Sequence, residues 1–291
     1  VNGSREAKAK IKRQKAKVRS PLLHFYFLLL PSNRGAGVKV NVGGVGIDNL
    51  SEDEALDAIE RLIGDGGSHY MAVVNAAKVV AASRNSELRR VLSQADIVTA
   101  DGMSVVWAAR LLGRSLRQRV TGIDMFERLL VRASERGWSV YFLGAKEHSV
   151  TALVEKLKSR HAGLRVAGYR NGYFDEDESE HIAEAIRENG AEMLFVAMGS
   201  PRQEQWIYAN LEKTGAKFAL GVGGSFDHIN GLIPRAPAWM QRAGLEWMHR
   251  LWREPRRLWR RYLVGNTLFV WLVAKQLVGR GQKPDRNVIA G

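Results

Sequence analysis

From Val38 to about Leu232, short apolar runs alternate with amphipathic stretches, and no other feature narrows the possible folds as much. Strand-like runs are read at Val38–Val42, Tyr70–Val74, Ile97–Thr99, Val140–Leu143, Leu164–Gly168, Met193–Met198 and Phe218–Val222. Between them lie helix-like stretches: Ser51 to about Ile63, a segment after Asn75, Asp101-Gly102 to Leu112, Phe126–Arg136, Ser149–Arg160, Glu178–Asn189 and Gln203–Lys213. Ser51-Glu52-Asp53-Glu54 has the Ser-x-x-Glu form of a capping box. Strands that alternate with helices join by crossovers, which makes the sheet mainly parallel and covers both its faces with helices. The expectation is an α/β, Rossmann-like domain.

Charge divides the chain further. The formal charge is +14, from 44 Lys and Arg against 30 Asp and Glu. Residues 1–20 carry +7 and residues 239–291 carry +8, whereas residues 21–238 carry −1. A near-neutral body therefore has two basic ends. Cysteine is absent, which excludes a disulfide scaffold and thiolate zinc sites, and the seven His show no ligand spacing. The chain is expected to divide into a basic and apolar arm (1–37), an α/β domain (38–238), a helical appendage (239–280) and a tail (281–291).

In the arm, a Lys/Arg run precedes Leu22–Leu30, an apolar run too short for the ~20 residues that a membrane-spanning helix needs. It is read as a basic arm or as an interfacial anchor. In the C-terminal segment, five of the eight Trp (239, 247, 252, 259 and 271) interleave with six Arg between Arg250 and Arg261. At about 100° per residue these Arg fall on one side of a helix, and Trp247, Leu251, Trp252 and Trp259 on the other. Pro255 predicts a kink or restart within this stretch. An Arg face opposite a Trp face suits a helix in the membrane interface. The alternatives are packing against the body, nucleic-acid binding, and self-association through the Trp face.

Parallel sheets bind ligands where strands end and helices begin. Three such junctions carry polar groups: Asn75, Asp101 and the run Gly199-Ser200-Pro201-Arg202-Gln203-Glu204. Each has a structural explanation too. Asn75 and Asp101 stand where helix caps stand, and Ser200 with Gln203 fits a capping box. Gly221-Val222-Gly223-Gly224-Ser225-Phe226 fails the dinucleotide fingerprint at its last position, and no Gly-Lys-Ser/Thr is present. Asp175-Glu176-Asp177 has the Asp-x-Asp form of a divalent-ion site, and equally that of an acidic helix start.

The run Arg235-Ala236-Pro237-Ala238-Trp239, the run Gly244 to Leu251, Glu254-Pro255-Arg256-Arg257, Gly199 to Glu204, Asp101-Gly102 and Arg119-Val120-Thr121-Gly122 together resemble the WecG/TagA/CpsF glycosyltransferases, glycosyltransferase family 26. That resemblance implies an inverting, metal-independent enzyme, peripheral on the cytoplasmic face of the bacterial inner membrane and without a cofactor. It implies a UDP-sugar donor and a polyprenyl-diphosphate-linked glycan acceptor, in exopolysaccharide or cell-wall polymer synthesis. It also implies Asp101 as general base, Asn75, Arg119 and Gln203 as substrate-binding residues, and Arg250, Arg257 and Arg260 as arginines brought over the site. Val73 stands where many members have Thr.

Arg outnumbers Lys thirty to fourteen, an excess that leans towards a GC-rich genome and, with the resemblance, towards glucose as the transferred sugar. N-acetylmannosamine and a uronic acid derivative are the alternatives. A basic nucleic-acid-binding protein and another nucleotide-dependent α/β enzyme are the rival classes. Neither rival explains why Asp101, Arg119 and Gln203 accompany the basic ends.

Overall fold

The computed structural model describes residues 39–280 apart from 243; the arm 1–37 and the tail 281–291 lie outside the described residues. The chain enters as a small antiparallel hairpin, β1 (Val40–Val42) and β2 (Val45–Ile47). Its turn is Gly43-Gly44, with φ of 61° and 90°, the positive values a tight two-residue hairpin needs. The predicted strand Val38–Val42 is thus half of a pair. Helix α1 (Glu52–Gly64) follows and begins at the predicted capping box: Ser51 Oγ accepts from the Glu54 N–H at 3.2 Å, and the Ser51 N–H donates to Glu54 at 2.9 Å.

Among the described residues, six strands form one parallel sheet. They are β3 (His69–Val74), β4 (Ile97–Ala100), β5 (Ser139–Gly144), β6 (Arg165–Arg170), β7 (Met193–Ala197) and β8 (Phe218–Gly221), in the spatial order β4-β3-β8-β7-β5-β6. The connecting helices are α2 (Ala76–Arg84), α3 (Ser86–Gln94), α4 (Met103–Leu111), α5 (Gly122–Arg136), α6 (Glu147–Arg160), α7 (Ser179–Glu188), α8 (Arg202–Thr214) and α9 (Ser225–Asn230). The α5 helix starts four residues before its predicted beginning, because Thr121 caps it by accepting from the Asp124 N–H at 3.1 Å.

Side-chain alternation along the strands builds two cores. Tyr70, Ala72 and Val74 face one layer with β1, β2, α2, α3, α4, α7 and α8; Met71 and Val73 face the other with α1, α5, α6 and α9. In the second layer Phe126, Phe142, Phe195 and Phe226 pack ring on ring with centroids 4.7–6.2 Å apart. In the parallel sheet the five strands other than β6 are buried on both faces and read as nearly continuous apolar runs, which is why the sequence revealed them. The predicted α/β class, with a parallel sheet between two helical layers, is the observed one.

Beyond Arg235 come α10 (Ala238–Arg242), α11 (Glu246–Arg253) and α12 (Pro255–Arg280). The restart at Pro255 places proline at the first position of α12, where its missing N–H is not needed. The second half of α12 does not stand off as an appendage. Phe269 and Val273 are buried in the core layer of α2, and Gln276 accepts from the Gly43 N–H at 2.8 Å while donating to the Asn41 carbonyl at 3.0 Å. Part of the apolar run Leu268–Ala274 is therefore core and not surface. Trp252 is 82% exposed, and Trp239, Trp259, Leu263 and Trp271 are also exposed. Among the described residues, no helix is long and apolar enough to cross a membrane.

Candidate active site

After β3 the chain enters α2 on one face of the sheet, and after the neighbouring β8 it enters α9 on the other. Divergence of this kind leaves a crevice at the carboxyl ends of the strands. A cavity of about 480 Å³ opens there. Asn75, Asp101 and Arg119, from three separate connections, all line it.

The three polar junctions turn out to differ. Asn75 is a helix cap: its Oδ1 accepts from the Lys78 N–H at 3.1 Å, and its amide NH₂ group is not used by the cap. Asp101 is not a cap, because α4 begins at Met103 with Gly102 at the cap position and no side-chain cap bond. The Asp101 backbone N–H extends the sheet by donating to the Val74 carbonyl at 2.9 Å, and its carboxylate accepts from the Gly122 N–H at 3.3 Å. The result is a carboxylate held at a strand end by backbone on two sides, with lone pairs left over for a substrate hydroxyl.

Arg119 lies on a segment clamped to β4, where the Val120 N–H donates to the Ala100 carbonyl at 3.0 Å and Thr99 Oγ1 donates to the Val120 carbonyl at 3.1 Å. Its guanidinium pairs with Glu246 at the start of α11, both groups being largely buried. A second ion pair holds another cavity-lining residue, Arg235. Arg235 donates to Asp124 Oδ1 at 2.7 Å, while Thr121 Oγ1 donates to Asp124 Oδ2 at 2.5 Å. Burial alone would lower the Arg235 pKa, but the carboxylates of Asp124, Glu127 and Glu246 outweigh it and hold the guanidinium firmly charged. Arg235, Glu246, Thr121, His228 and His249 also line the cavity, and sequence reasoning had given them no role. Arg235 and Glu246 lie inside the quoted motif runs, which was the available signal.

Gln203 is not where the capping-box reading put it. The cap position of α8 falls on Pro201, without a side-chain cap bond. Gln203 is buried behind the glycine turn: its Oε1 accepts from the Gly223 N–H at 3.1 Å, and its Nε2 donates to Glu204 Oε1 at 2.8 Å. A Cβ at Gly221 would stand 2.5 Å from that Nε2, so a side chain there would displace the Gln203 amide from these bonds. Glu204 Oε1 also meets Lys78 Nζ at 2.7 Å, an ion pair with both side chains buried. Gln203 does not line the cavity. It ties the β7–α8 and β8–α9 junctions together, and Lys78 links them to the helix that Asn75 caps.

Arg250 lies on α11, and Arg257 and Arg260 on α12; their side chains lie outside the described residues. Val73 is buried and leaves little room opposite, since a Cβ at Gly122 would approach its Cγ2 to 3.2 Å. At Asp175-Glu176-Asp177, the Asp175 N–H donates to Glu178 at 3.0 Å, and Glu178 pairs with Arg170 at 2.7 Å, as at an ordinary acidic helix start. Among the described residues, no group of three or more His, Asp or Glu is arranged to hold a metal ion.

Comparison with known proteins agrees with this arrangement. The family described as "Glycosyl transferase WecG/TagA/CpsF family" matches residues 40–283. Among curated proteins, the N-acetylglucosaminyldiphosphoundecaprenol N-acetyl-beta-D-mannosaminyltransferase of Bacillus spizizenii (strain W23) is 39% identical over 182 residues, covering 62% of this chain and 70% of the relative. The enzyme of the same name from Bacillus subtilis (strain 168) is 34% identical over 193 residues, covering 66% and 74%. The expectation of glucose finds no support in these relatives; the alternative, N-acetylmannosamine, is the sugar in both names. With the family matched across the whole parallel sheet and the C-terminal helices, this chain belongs to the WecG/TagA/CpsF family of glycosyltransferases.

Proposed function

We propose that this protein transfers N-acetylmannosamine from a UDP-linked donor to N-acetylglucosamine carried on undecaprenyl diphosphate, with inversion at the anomeric carbon. The relatives' names support the sugar and the acceptor. The observation that carries the mechanism is the position of Asp101, a carboxylate at a strand end, uncommitted to a helix cap and lining the cavity.

In this reading Asp101 takes the proton of the acceptor hydroxyl as that oxygen attacks the anomeric carbon. The bond from that carbon to the diphosphate breaks, and UDP leaves with the electron pair. Its developing charge is met by fixed cations and not by a metal: Arg119 at the cavity wall, Arg235 beside it, and Arg250, Arg257 and Arg260 from α11 and α12. Asn75 supplies a neutral donor at the rim. Gln203 positions the glycine turn through its bond from the Gly223 N–H. The exposed Trp of the C-terminal helices rest on the cytoplasmic leaflet, where the lipid-linked acceptor resides.

The test is UDP release on incubation with a panel of UDP-sugars and a lipid-diphosphate N-acetylglucosamine acceptor, with and without EDTA. UDP-N-acetylmannosamine is expected to be the preferred donor, and EDTA to leave the rate unchanged. Preferred use of UDP-glucose would overturn the sugar assignment, and loss of activity in EDTA the metal-free chemistry.

A further inference from the structure

The proposed chemistry uses one part of the cavity and leaves the rest unexplained. Its charged lining comes from Asp101, Arg119, Arg235 and Glu246, all on loops or the start of α11. Among the described side chains, α4 and the Asn266–Leu277 part of α12 contribute no charged residue to the lining, although they carry Arg110 and Lys275. These two helices instead present apolar stripes. On α4 the stripe is Met103, Trp107 and Leu111, at i, i+4 and i+8; on α12 it is Val270, Ala274 and Leu277, at i, i+4 and i+7. Residues at that spacing share one helix face.

The trough starts at the reacting end. Met103 is two residues beyond Asp101, and from Met103 to Leu111 the helix leads away for about 12 Å at 1.5 Å per residue. Gly244 closes one side: with φ of 71°, it lies so close to α4 that an added Cβ would stand 2.8 Å from Met103 Cβ and 3.0 Å from the Trp107 ring. The far end is open. Leu111, the last residue of the α4 stripe, is 68% exposed, and Val270 on α12 is 64% exposed, a high exposure for apolar side chains that line a cavity.

We propose that the trough between α4 and α12 holds the first isoprene units of the acceptor's polyprenyl chain, with the attached diphosphate and sugar directed towards Arg119 and Asp101. The inference rests on the acceptor proposed above. An extended, branched, uncharged hydrocarbon attached to a polar head matches a cavity that carries Arg119 and Arg235 with their carboxylate partners at one end and apolar side chains along two helices. A flat membrane surface would meet the exposed Trp252, Trp259 and Trp271 but would not enter the trough.

Calorimetric titration of the full chain with isopentenyl, geranyl and farnesyl diphosphate, below their self-association concentrations, tests the proposal; inorganic diphosphate serves as headgroup control. Affinity is expected to rise roughly tenfold or more from one to three isoprene units, as each buried methylene adds to binding. Leu111→Glu changes an exposed position, and Ala274→Trp fills the trough. Both are expected to abolish the dependence on chain length while leaving UDP affinity unchanged. Chain-length-independent binding by the unaltered protein, or dependence retained in both variants, overturns the proposal. The readout needs no sugar transfer, so the two readings fail separately. Length-dependent binding without N-acetylmannosamine transfer breaks the proposed reaction and keeps the trough; transfer with flat titrations does the reverse.

Discussion

The strand-end edge and the C-terminal helices contribute to the same cavity by different physical means. At the edge, Asp101 and Arg119 are placed by backbone: sheet hydrogen bonds at 2.9 and 3.0 Å fix the segments that carry them. In the C-terminal helices, positions are set by side chains, through Arg119–Glu246, Arg235–Asp124 and the burial of Phe269 and Val273. Backbone placement tolerates little movement. Side-chain placement lets a mostly exposed, Trp-bearing element join the site without belonging to the sheet.

The most severe test of that contrast is the buried pair behind the edge. Lys78→Met leaves Glu204 charged and unpaired, and is expected to cost about 3–5 kcal/mol in urea denaturation; a cost under ~1 kcal/mol would mean that the junctions hold without it. Next comes Phe269→Ala, expected to cost about 3 kcal/mol if the second half of α12 is core. A negligible loss would return α12 to the status of a detachable appendage.

Asp101→Asn sharpens the comparison from the catalytic side. Turnover is expected to fall roughly 100-fold or more, with the melting temperature nearly unchanged because Asp101 caps no helix. Near-normal turnover would remove it from the mechanism.

The smallest effect lies at the opposite end of β3. Burial disfavours the His69 imidazolium, but Asp96 and Asp65, each at 2.9 Å, outweigh burial and raise its pKa above 6.5. A raised folded pKa contributes stability that is fully present below the unfolded value and lost as pH rises through the folded one. His69→Gln is therefore expected to destabilise by under ~1 kcal/mol at pH 6 and by almost nothing at pH 9. Equal losses at the two pH values would show that the ring acts through packing.

Much of this was legible in the chain because its signals are local. The Ser51–Glu54 capping box and the Pro255 restart appear as predicted. The β2 strand was missed although Gly43-Gly44 between apolar residues is a hairpin signal, since three residues make a weak pattern. The three polar junctions look alike in sequence, a polar residue between strand and helix. Only the position where each helix starts separates them: Asn75 caps, Asp101 yields the cap to Gly102, and Gln203 turns inward to Gly223.

Sequence alone determined the parallel sheet and the division of charge between a neutral body and its basic ends, because periodicity and composition are properties of neighbouring residues. Tertiary structure decided that Arg235 and Glu246 join Asp101 and Arg119 around one cavity, and that α4 and α12 face each other across its apolar end. These contacts join segments more than a hundred residues apart. No local pattern encodes them, because they arise only when the sheet order brings β3, β4 and β8 together and α12 packs back against α2.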